Sequence, residues 1–177
     1  MATEEKSQLL DYFREVVLCD TEFRSLGNGL VSVRCVCALE LRSRREHRLW
    51  IEEKTLCPYP TDPETLFIAH YTSAELISHQ SLGWTIPENV LDTCIEYSGL
   101  TCGKRGKGQS RSLVGALTHF KIDHIDTEEK EEMRALAMAN KKNEEYTVEE
   151  RKSLIDYCWS DVEALKSLLA RMEGFLC

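Results

Sequence analysis

Carboxylates follow a buried strand near the start of the chain. The apolar run over residues 16–19 is short, rich in branched side chains and apolar at every position, as in a strand covered on both faces. Asp20 and Glu22 come directly after it, and alternate residues of a strand share a face, so both side chains should project together. Two like charges placed there need a counter-charge, and a hard divalent cation with oxygen ligands supplies one. The pattern predicts half of a carboxylate metal site for cutting phosphodiester bonds.

The other half of this site is predicted on a long helix over residues 147–172. Its apolar positions recur at helical spacing and form one stripe, Leu154, Cys158, Val162, Leu165, Leu168 and Leu169. Asp161 falls within the stripe, where a carboxylate is costly unless it is paired or bound to metal. Tyr157 lies one turn earlier on the same side. Thr147 followed by Glu150 fits a capping box and marks the start of the helix.

A third candidate carboxylate, Glu75, begins a helical pattern just after a predicted strand at residues 66–69. Its position places it near the same sheet edge. An ordinary alternative exists, because Thr72 and Glu75 also have capping-box spacing. Ordinary alternatives exist for the other candidates too: strand ends often carry acidic turn residues, and Asp161 with Tyr157 could be a surface pair beside the helix stripe.

The intervening segments predict an α/β fold with a mixed sheet. A Gly-Asn-Gly turn at 27–29 separates the first strand from a β segment over 30–41, and residues 48–52 return as a third antiparallel strand. Further short strands at 66–69 and 90–92 alternate with helices, which indicates a sheet of mixed strand direction. The expected helices are 72–82, a segment ending at 97, 112–120, 126–139 and 147–172, after a helical lead at about 1–14.

Composition indicates one domain spanning residues 1–177, since 177 residues with 42% hydrophobic content can bury a real core. No apolar stretch approaches 18 residues and no cationic, apolar leader follows Met1, so we expect a cytoplasmic protein with no membrane partner. The eight cysteines include no C-x-x-C pair, which argues against zinc and favours reduced thiols.

A formal net charge of −8 argues against nucleic-acid binding by general electrostatics alone. It leaves room for a nuclease, because bound cations offset an acidic site and local basic patches can hold phosphates. Such patches lie at residues 42–48 and 104–111. In the second, the candidates for phosphate contact are Lys104, Arg105, Lys107 and Arg111. An ordinary flexible loop is the alternative there, and the spacing is not that of a Walker-type loop.

These residues, taken in order, resemble the DEDD (DnaQ-like) superfamily of 3′–5′ exonucleases over nearly the whole chain. Asp20-Thr21-Glu22 is similar to the first motif of that superfamily, and the Y-x-x-x-D run from Tyr157 to Asp161 is similar to the third motif in its tyrosine form. More narrowly, the stretches at 69–75, 82–84, 91–93 and 156–162 resemble exonuclease domains at the start of phage-type family A DNA polymerases. Glu75 stands where the second motif usually presents an aspartate.

The resemblance implies a ribonuclease-H-like sheet, three antiparallel strands followed by parallel strands, flanked by helices. It also implies two Mg²⁺ or Mn²⁺ ions. Asp20 would bridge them, Glu22 and Asp161 would hold the nucleophile-side ion, Glu75 would hold the other, and Tyr157 would orient the attacking water. The expected substrate is a single-stranded DNA 3′ end or frayed primer terminus, shortened to nucleoside monophosphates during proofreading or DNA processing.

Two other functions stay open at this stage. One is a catalytically weak or inactive module that binds nucleic acid or docks a DNA polymerase module in the same or another chain. The other is an RNA-directed exonuclease of the same superfamily, since contacts to the 2′-hydroxyl decide that choice and the sequence does not reveal them.

Overall fold

The computed structural model describes residues 9–101, 110–123 and 127–176. The strands are β1 (Glu15–Ser25), β2 (Val31–Glu40), β3 (Glu46–Trp50), β4 (Thr65–Ala69) and β5 (Asn89–Asp92). The α-helices are α1 (Ser73–Leu82), α2 (Thr93–Leu100), α3 (Leu113–His119), α4 (Thr127–Ala137) and α5 (Val148–Met172). Short 3₁₀ turns cover Leu9–Tyr12, Asn143–Glu145 and Glu173–Phe175. Of the predicted helical lead, the described part is thus a single 3₁₀ turn, and residues 1–8 lie outside the described ranges.

The five strands form one sheet in the order β3-β2-β1-β4-β5. The first three pair antiparallel, and β4 and β5 continue the sheet parallel to β1. This confirms the predicted α/β class and the ribonuclease-H-like mixture of strand directions. β1 therefore has an antiparallel neighbour on one side and a parallel neighbour on the other.

Alternation along β1 decides which side of the sheet carries its carboxylates. Val16 and Leu18 pack in the core beneath α5, whereas Val17 packs in the core on the opposite face, where α1 lies. Asp20 and Glu22 continue the even-numbered series, so they face α5. They also lie beyond the point where β4 stops pairing with β1, at Leu18. The carboxylates therefore stand at an opening of the sheet rather than under a neighbouring strand.

Helix α5 presents the predicted apolar stripe to the sheet. Thr147 accepts a hydrogen bond from the Glu150 backbone N–H and the Glu150 carboxylate accepts one from the Thr147 N–H, so the predicted capping box is confirmed. The stripe is buried along its length, and its last turns pack with α2 and α3 in a smaller cluster. Within the described ranges, no helix combines the length and apolar character that crossing a membrane requires.

Candidate metal centre

Three carboxylates meet where β1 emerges beneath α5. Asp20, Glu22 and Asp161 each offer a carboxylate oxygen, and these oxygens lie within 4.8 Å of one another. Strand alternation directs the Asp20 and Glu22 side chains toward α5, and helix periodicity places Asp161 on the face of α5 that packs against the sheet. The Cys158 thiol also donates to the Asp20 backbone carbonyl at 3.2 Å, which ties this turn of α5 to β1. The structure thus brings together the two halves that the sequence predicted.

Burial and neighbouring negative charge disfavour the ionised forms of Asp20 and Glu22. Burial, and after it the Asp161 charge, raise the pKa of Asp20 to about 8. Burial likewise raises the pKa of Glu22 well above its ordinary value, with Asp20 and Asp161 adding to the effect. A divalent cation would offset both the cost of burying the carboxylates and the repulsion between them, because it supplies the positive charge that the protein provides only in part.

Glu75 approaches from α1 and lies beside the three-carboxylate group without joining it. Its side chain is 3% exposed, and burial followed by the Asp20 charge raises its pKa well above the ordinary value. Asp20 Oδ2 and Glu75 Oε2 are buried with no hydrogen-bond partner among the described residues. Unpartnered buried carboxylate oxygens are costly, and an oxygen-only donor set suits Mg²⁺ or Mn²⁺. The residues present therefore fit a hard divalent metal.

The capping box considered for Thr72 and Glu75 does not form. Thr72 precedes α1 in a helical conformation, and its side chain makes no capping bond to that helix. Its hydroxyl donates instead to Asp92 Oδ2 at 3.0 Å, across to the start of α2. The ordinary explanation for Glu75 is therefore wrong, and its carboxylate is left facing Asp20.

Tyr157 stands beside the carboxylates and stays protonated at neutral pH. Burial raises the pKa of its phenol, and the charges of Asp161, Glu22 and Asp20 raise it further. A protonated phenol is a hydrogen-bond donor rather than a general base. A phenol in this position could donate a hydrogen bond to an oxygen nucleophile near the three carboxylates.

Lys130 of α4 lies beside the three carboxylates, and the sequence analysis did not predict it. Its Nζ lies 2.6 Å from Asp161 Oδ1, with the two side chains only 16% and 14% exposed. The same ammonium sits 5.6 Å from the centre of the Tyr157 ring. Four acidic positions in α4 surround this lysine in the sequence, so only the tertiary arrangement distinguishes it. It is the cation that the described residues place against the three carboxylates.

A buried arginine holds the segment that follows α4. Arg34 of β2 has no exposed surface, and it donates to the carbonyls of Ala137 (3.2 Å) and Ala139 (2.9 Å) and to Asn143 Oδ1 (2.6 Å). Its guanidinium also lies 5.1 Å from the centre of the Tyr146 ring. Arg34 thereby fixes the C-terminal end of the helix that carries Lys130.

The basic candidates are placed unevenly. Lys104, Arg105 and Lys107 lie outside the described residues. Arg111 is exposed beside a separate cavity, and its carbonyl accepts a hydrogen bond from His70 Nε2 at 2.8 Å. In the 42–48 turn, the arginines bind neighbouring groups of the fold: Arg42 donates to the Leu10 and Phe13 carbonyls, Arg45 pairs with Glu15, and Arg48 pairs with Glu46 and covers Trp159.

Comparison with known proteins gives a fold and no close relative. No protein-family model and no curated protein matches the chain. A solved structure of a nuclease in its apo form shares 18% identity at a TM-score of 0.59, over 97% of this chain and 78% of that one. RNase D of Escherichia coli, an exoribonuclease involved in structured RNA processing, shares 16% identity at a TM-score of 0.53, over 94% of this chain and 42% of its own.

A third structure, NrnC of Brucella melitensis with bound Mg²⁺, shares 18% identity at a TM-score of 0.50, over 92% of this chain and 77% of that one. At these identities the similarity establishes the architecture. The sheet and helices described above form a ribonuclease-H-like fold.

Proposed function

We propose that this chain is a metal-dependent nuclease that hydrolyses phosphodiester bonds at the 3′ end of a nucleic acid. The observation that carries the proposal is the meeting of Asp20, Glu22 and Asp161 within 4.8 Å, with the buried oxygen of Asp20 left without a partner. A protein does not keep such a group for stability, because buried unpaired carboxylates are destabilising. The three neighbouring folds are described as nucleases or hold Mg²⁺, which supports the same conclusion.

Asp20, Glu22 and Asp161 would hold one divalent ion, and Glu75 would help Asp20 to hold a second. When bound, such ions lower the pKa of a coordinated water and stabilise charge on the phosphate oxygens. Glu75 is one methylene longer than the aspartate usual at this position in the superfamily. Its unpartnered Oε2 is the atom available for that role.

Tyr157 and Lys130 would act on the reacting groups without binding metal. The Tyr157 hydroxyl would donate to the oxygen of the attacking water and fix its direction toward phosphorus. Lys130 balances the Asp161 charge, and its ammonium would stand close to the negative charge that develops on the phosphate. As the water oxygen bonds to phosphorus and releases a proton to solvent, the bond from phosphorus to O3′ of the preceding nucleotide breaks. That O3′ takes up a proton from solvent, and a nucleoside 5′-monophosphate leaves.

The proposed substrate is a single-stranded DNA 3′ end or a frayed primer terminus, in proofreading or DNA processing with a polymerase module of the same or another chain. This choice rests on the ordered motifs that resemble phage-type polymerase exonucleases. RNA is the second candidate, because one neighbouring fold belongs to an exoribonuclease. An inactive module that only binds nucleic acid is the third.

A single assay separates these possibilities. Matched DNA and RNA oligonucleotides, labelled at the 5′ end or at the 3′ end, are incubated with Mg²⁺, Mn²⁺ or chelator. Attack from the 3′ end shortens the 5′-labelled strand stepwise and releases the 3′ label at once as a mononucleotide. The DNA and RNA ladders then give the preference directly.

Asp161→Asn should abolish the metal-dependent ladder. The matched control is Asp156→Asn on the same helix, because Asp156 is exposed and its one ion pair within the described ranges is with Lys152 on the surface. Full activity of Asp161→Asn would refute the proposed site. No cleavage of either strand, together with little thermal stabilisation by Mg²⁺, would instead identify the chain as a binding module.

A further inference from the structure

A cavity lies next to the candidate metal centre, and it has no part in the chemistry proposed above. It has a volume of about 660 Å³ and opens between the starts of α1 and α2. Its lining includes the apolar side chains of Leu76 and Ile95, with Tyr71 and His70 at the β4–α1 connection. Ile95 and Tyr71 are 66% and 63% exposed, which is unusual for large apolar side chains facing a concave surface.

Tyr71 is held at this cavity in a strained backbone conformation. Its φ is +72°, in the left-handed region that costs a non-glycine residue about 1 kcal/mol or more. Asp92 maintains that conformation: its carboxylate accepts the backbone N–H groups of Tyr71 (3.0 Å) and Thr72 (2.9 Å) while also capping α2 through Cys94 N. Five uncharged donors in all contact the Asp92 carboxylate, so their dipoles offset part of its negative charge.

The cavity and the metal centre share a wall. Glu75 faces Asp20, and the next residue, Leu76, lines the cavity. His70 forms the wall on the other side, where Nδ1 contacts the Thr93 hydroxyl at 3.0 Å and Nε2 donates to the Arg111 carbonyl at 2.8 Å. The strand register brings His70 to the same edge of the sheet as the metal centre: β1 and β4 pair up to Leu18 opposite Ile68, and Asp20 and His70 each lie two residues further along the chain.

Arg111 indicates which part of a strand would occupy this space. It is exposed at the rim, and it forms no ion pair with a described residue. In a strand attacked at its 3′ end, the terminal nucleotide carries only the scissile phosphate, which belongs at the metal centre. A further cation beside an apolar cavity therefore suits a further phosphate, and so a nucleotide upstream of the one being removed.

We propose that this cavity receives an unpaired nucleobase upstream of the scissile bond, stacked on Tyr71 and packed against Ile95, with Arg111 on the adjoining phosphate. This inference rests on the proposed function, since it needs a strand seated at the metal centre. It makes the protein select single strands, because a base within a duplex cannot turn into the cavity. Base stacking on an aromatic ring is worth about 1–3 kcal/mol and tolerates any base, so little sequence preference is expected.

The test combines a protein variant with a modified strand. Tyr71→Asn removes the ring while keeping a residue that tolerates the left-handed backbone. An abasic nucleotide is moved one position at a time through the second, third and fourth places from the 3′ end. Dissociation constants are measured by fluorescence anisotropy in Ca²⁺, and KM is measured in Mg²⁺.

At one position, the abasic strand should bind wild-type protein about 10-fold more weakly, and Tyr71→Asn should weaken binding of the intact strand by a similar factor. The two changes together should cost no more than either alone, because both remove the same contact. Ile95→Ser, on an exposed helix position, should show the same non-additivity at the same place. Tyr12→Asn, which removes a distant tyrosine 78% exposed, should leave binding unchanged.

Multiplicative losses at every position, or an unchanged dissociation constant in both cavity variants, would overturn the inference. Because binding is measured without cleavage, this result is distinct from failure of the proposed function. If the proposed function itself fails, wild-type protein will cleave no strand in Mg²⁺, whatever the binding data show.

Discussion

Glu40 and Asp20 lie on neighbouring strands, and their carboxylate oxygens differ in how completely they are hydrogen-bonded. Glu40 of β2 is 2% exposed, and its oxygens accept from the backbone N–H groups of Val16 (3.1 Å), Arg42 (3.2 Å) and Ser43 (2.5 Å). Asp20 of β1 has a buried oxygen with no partner among the described residues, and it faces two further acids. Glu40 stabilises a turn through its hydrogen bonds, whereas one carboxylate oxygen of Asp20 has no partner among the described residues.

Their pKa values move in opposite directions for this reason. Burial tends to raise the pKa of Glu40, but hydrogen bonds from Ser43, Val16 and Arg42 outweigh it and lower the value. At Asp20, burial and the Asp161 charge raise the pKa to about 8, and the bonds that lower it are too few to compensate. Burial of a carboxylate is therefore a poor marker of function, and the satisfaction of its oxygens is a good one.

Asp20→Asn is the most direct test of the difference between Asp20 and Glu40. Cleavage should fall by at least about 10³-fold, corresponding to about 4 kcal/mol of lost transition-state stabilisation. The metal-free protein should become more stable by about 1–2 kcal/mol at pH 8, since a buried charge is removed. Single-turnover kinetics and urea unfolding measure the two effects. Lower stability together with retained cleavage would mean that Asp20 is a structural acid like Glu40.

Tyr157→Phe tests whether the ring beside these acids serves water rather than packing. Cleavage should fall on the order of 10²-fold, because the phenol donor is lost while the ring remains. Stability should change little. A loss confined to unfolding free energy, with kcat intact, would place Tyr157 with the structural residues.

Glu40→Gln tests the other side of the comparison. The amide cannot accept from three N–H groups as the carboxylate does, so we expect a loss of about 2 kcal/mol in unfolding free energy with no loss of kcat at saturating metal. The depressed pKa of Glu40 adds a pH signature. Its stabilisation is complete above about pH 4.5 and disappears as pH falls through the lower folded value, so wild type and Glu40→Gln should converge in acid.

The smallest expected effect is the pH dependence of metal stabilisation. Asp20 has a folded pKa above its unfolded value, so the metal-free fold binds more protons than the unfolded chain, and its stability falls as pH rises from about 4 toward 8. Bound Mg²⁺ removes this penalty. The melting temperature should therefore rise about 2–4 °C more with Mg²⁺ at pH 8 than at pH 5.5. Equal increments, with NaCl at matched ionic strength as reference, would contradict the raised pKa.

The parts of this molecule that depend on local pattern could be predicted from the sequence. An apolar run followed by D-x-E predicts a buried strand with paired carboxylates, and the stripe of α5 places Asp161 against that strand. The antiparallel meander followed from the turn at 27–29. Each of these features repeats at a fixed spacing, so neighbouring residues carry the information.

Features set by distant contacts could not be predicted. The Thr72 hydroxyl could have capped α1, but Asp92, 20 residues further along, takes it. Lys130 stands among other charged residues of α4, and only the packing of α4 against α5 selects it for Asp161. Arg34 and Glu40 are charged residues inside strands, which is a signal that the sequence offered. The Ala137, Ala139 and Asn143 partners of Arg34 lie more than 100 residues away, and the Val16 N–H that Glu40 accepts lies on the neighbouring strand, so no local spacing encodes these contacts.

The thiol of Cys158 and the carbonyl of Asp20 touch across 138 residues of sequence. The contact can form only after α5 has been synthesised, and α5 follows the five strands and the other four α-helices of the described residues. Until α5 docks, the nascent chain would hold Asp20 and Glu22 but no third carboxylate and no Tyr157. A nascent or unfolded molecule is then unable to cleave nucleic acid, so the proposed activity would itself report that folding is complete. Cutting the chain between α4 and α5 should yield two fragments that cleave no nucleic acid separately and regain cleavage once they reassemble.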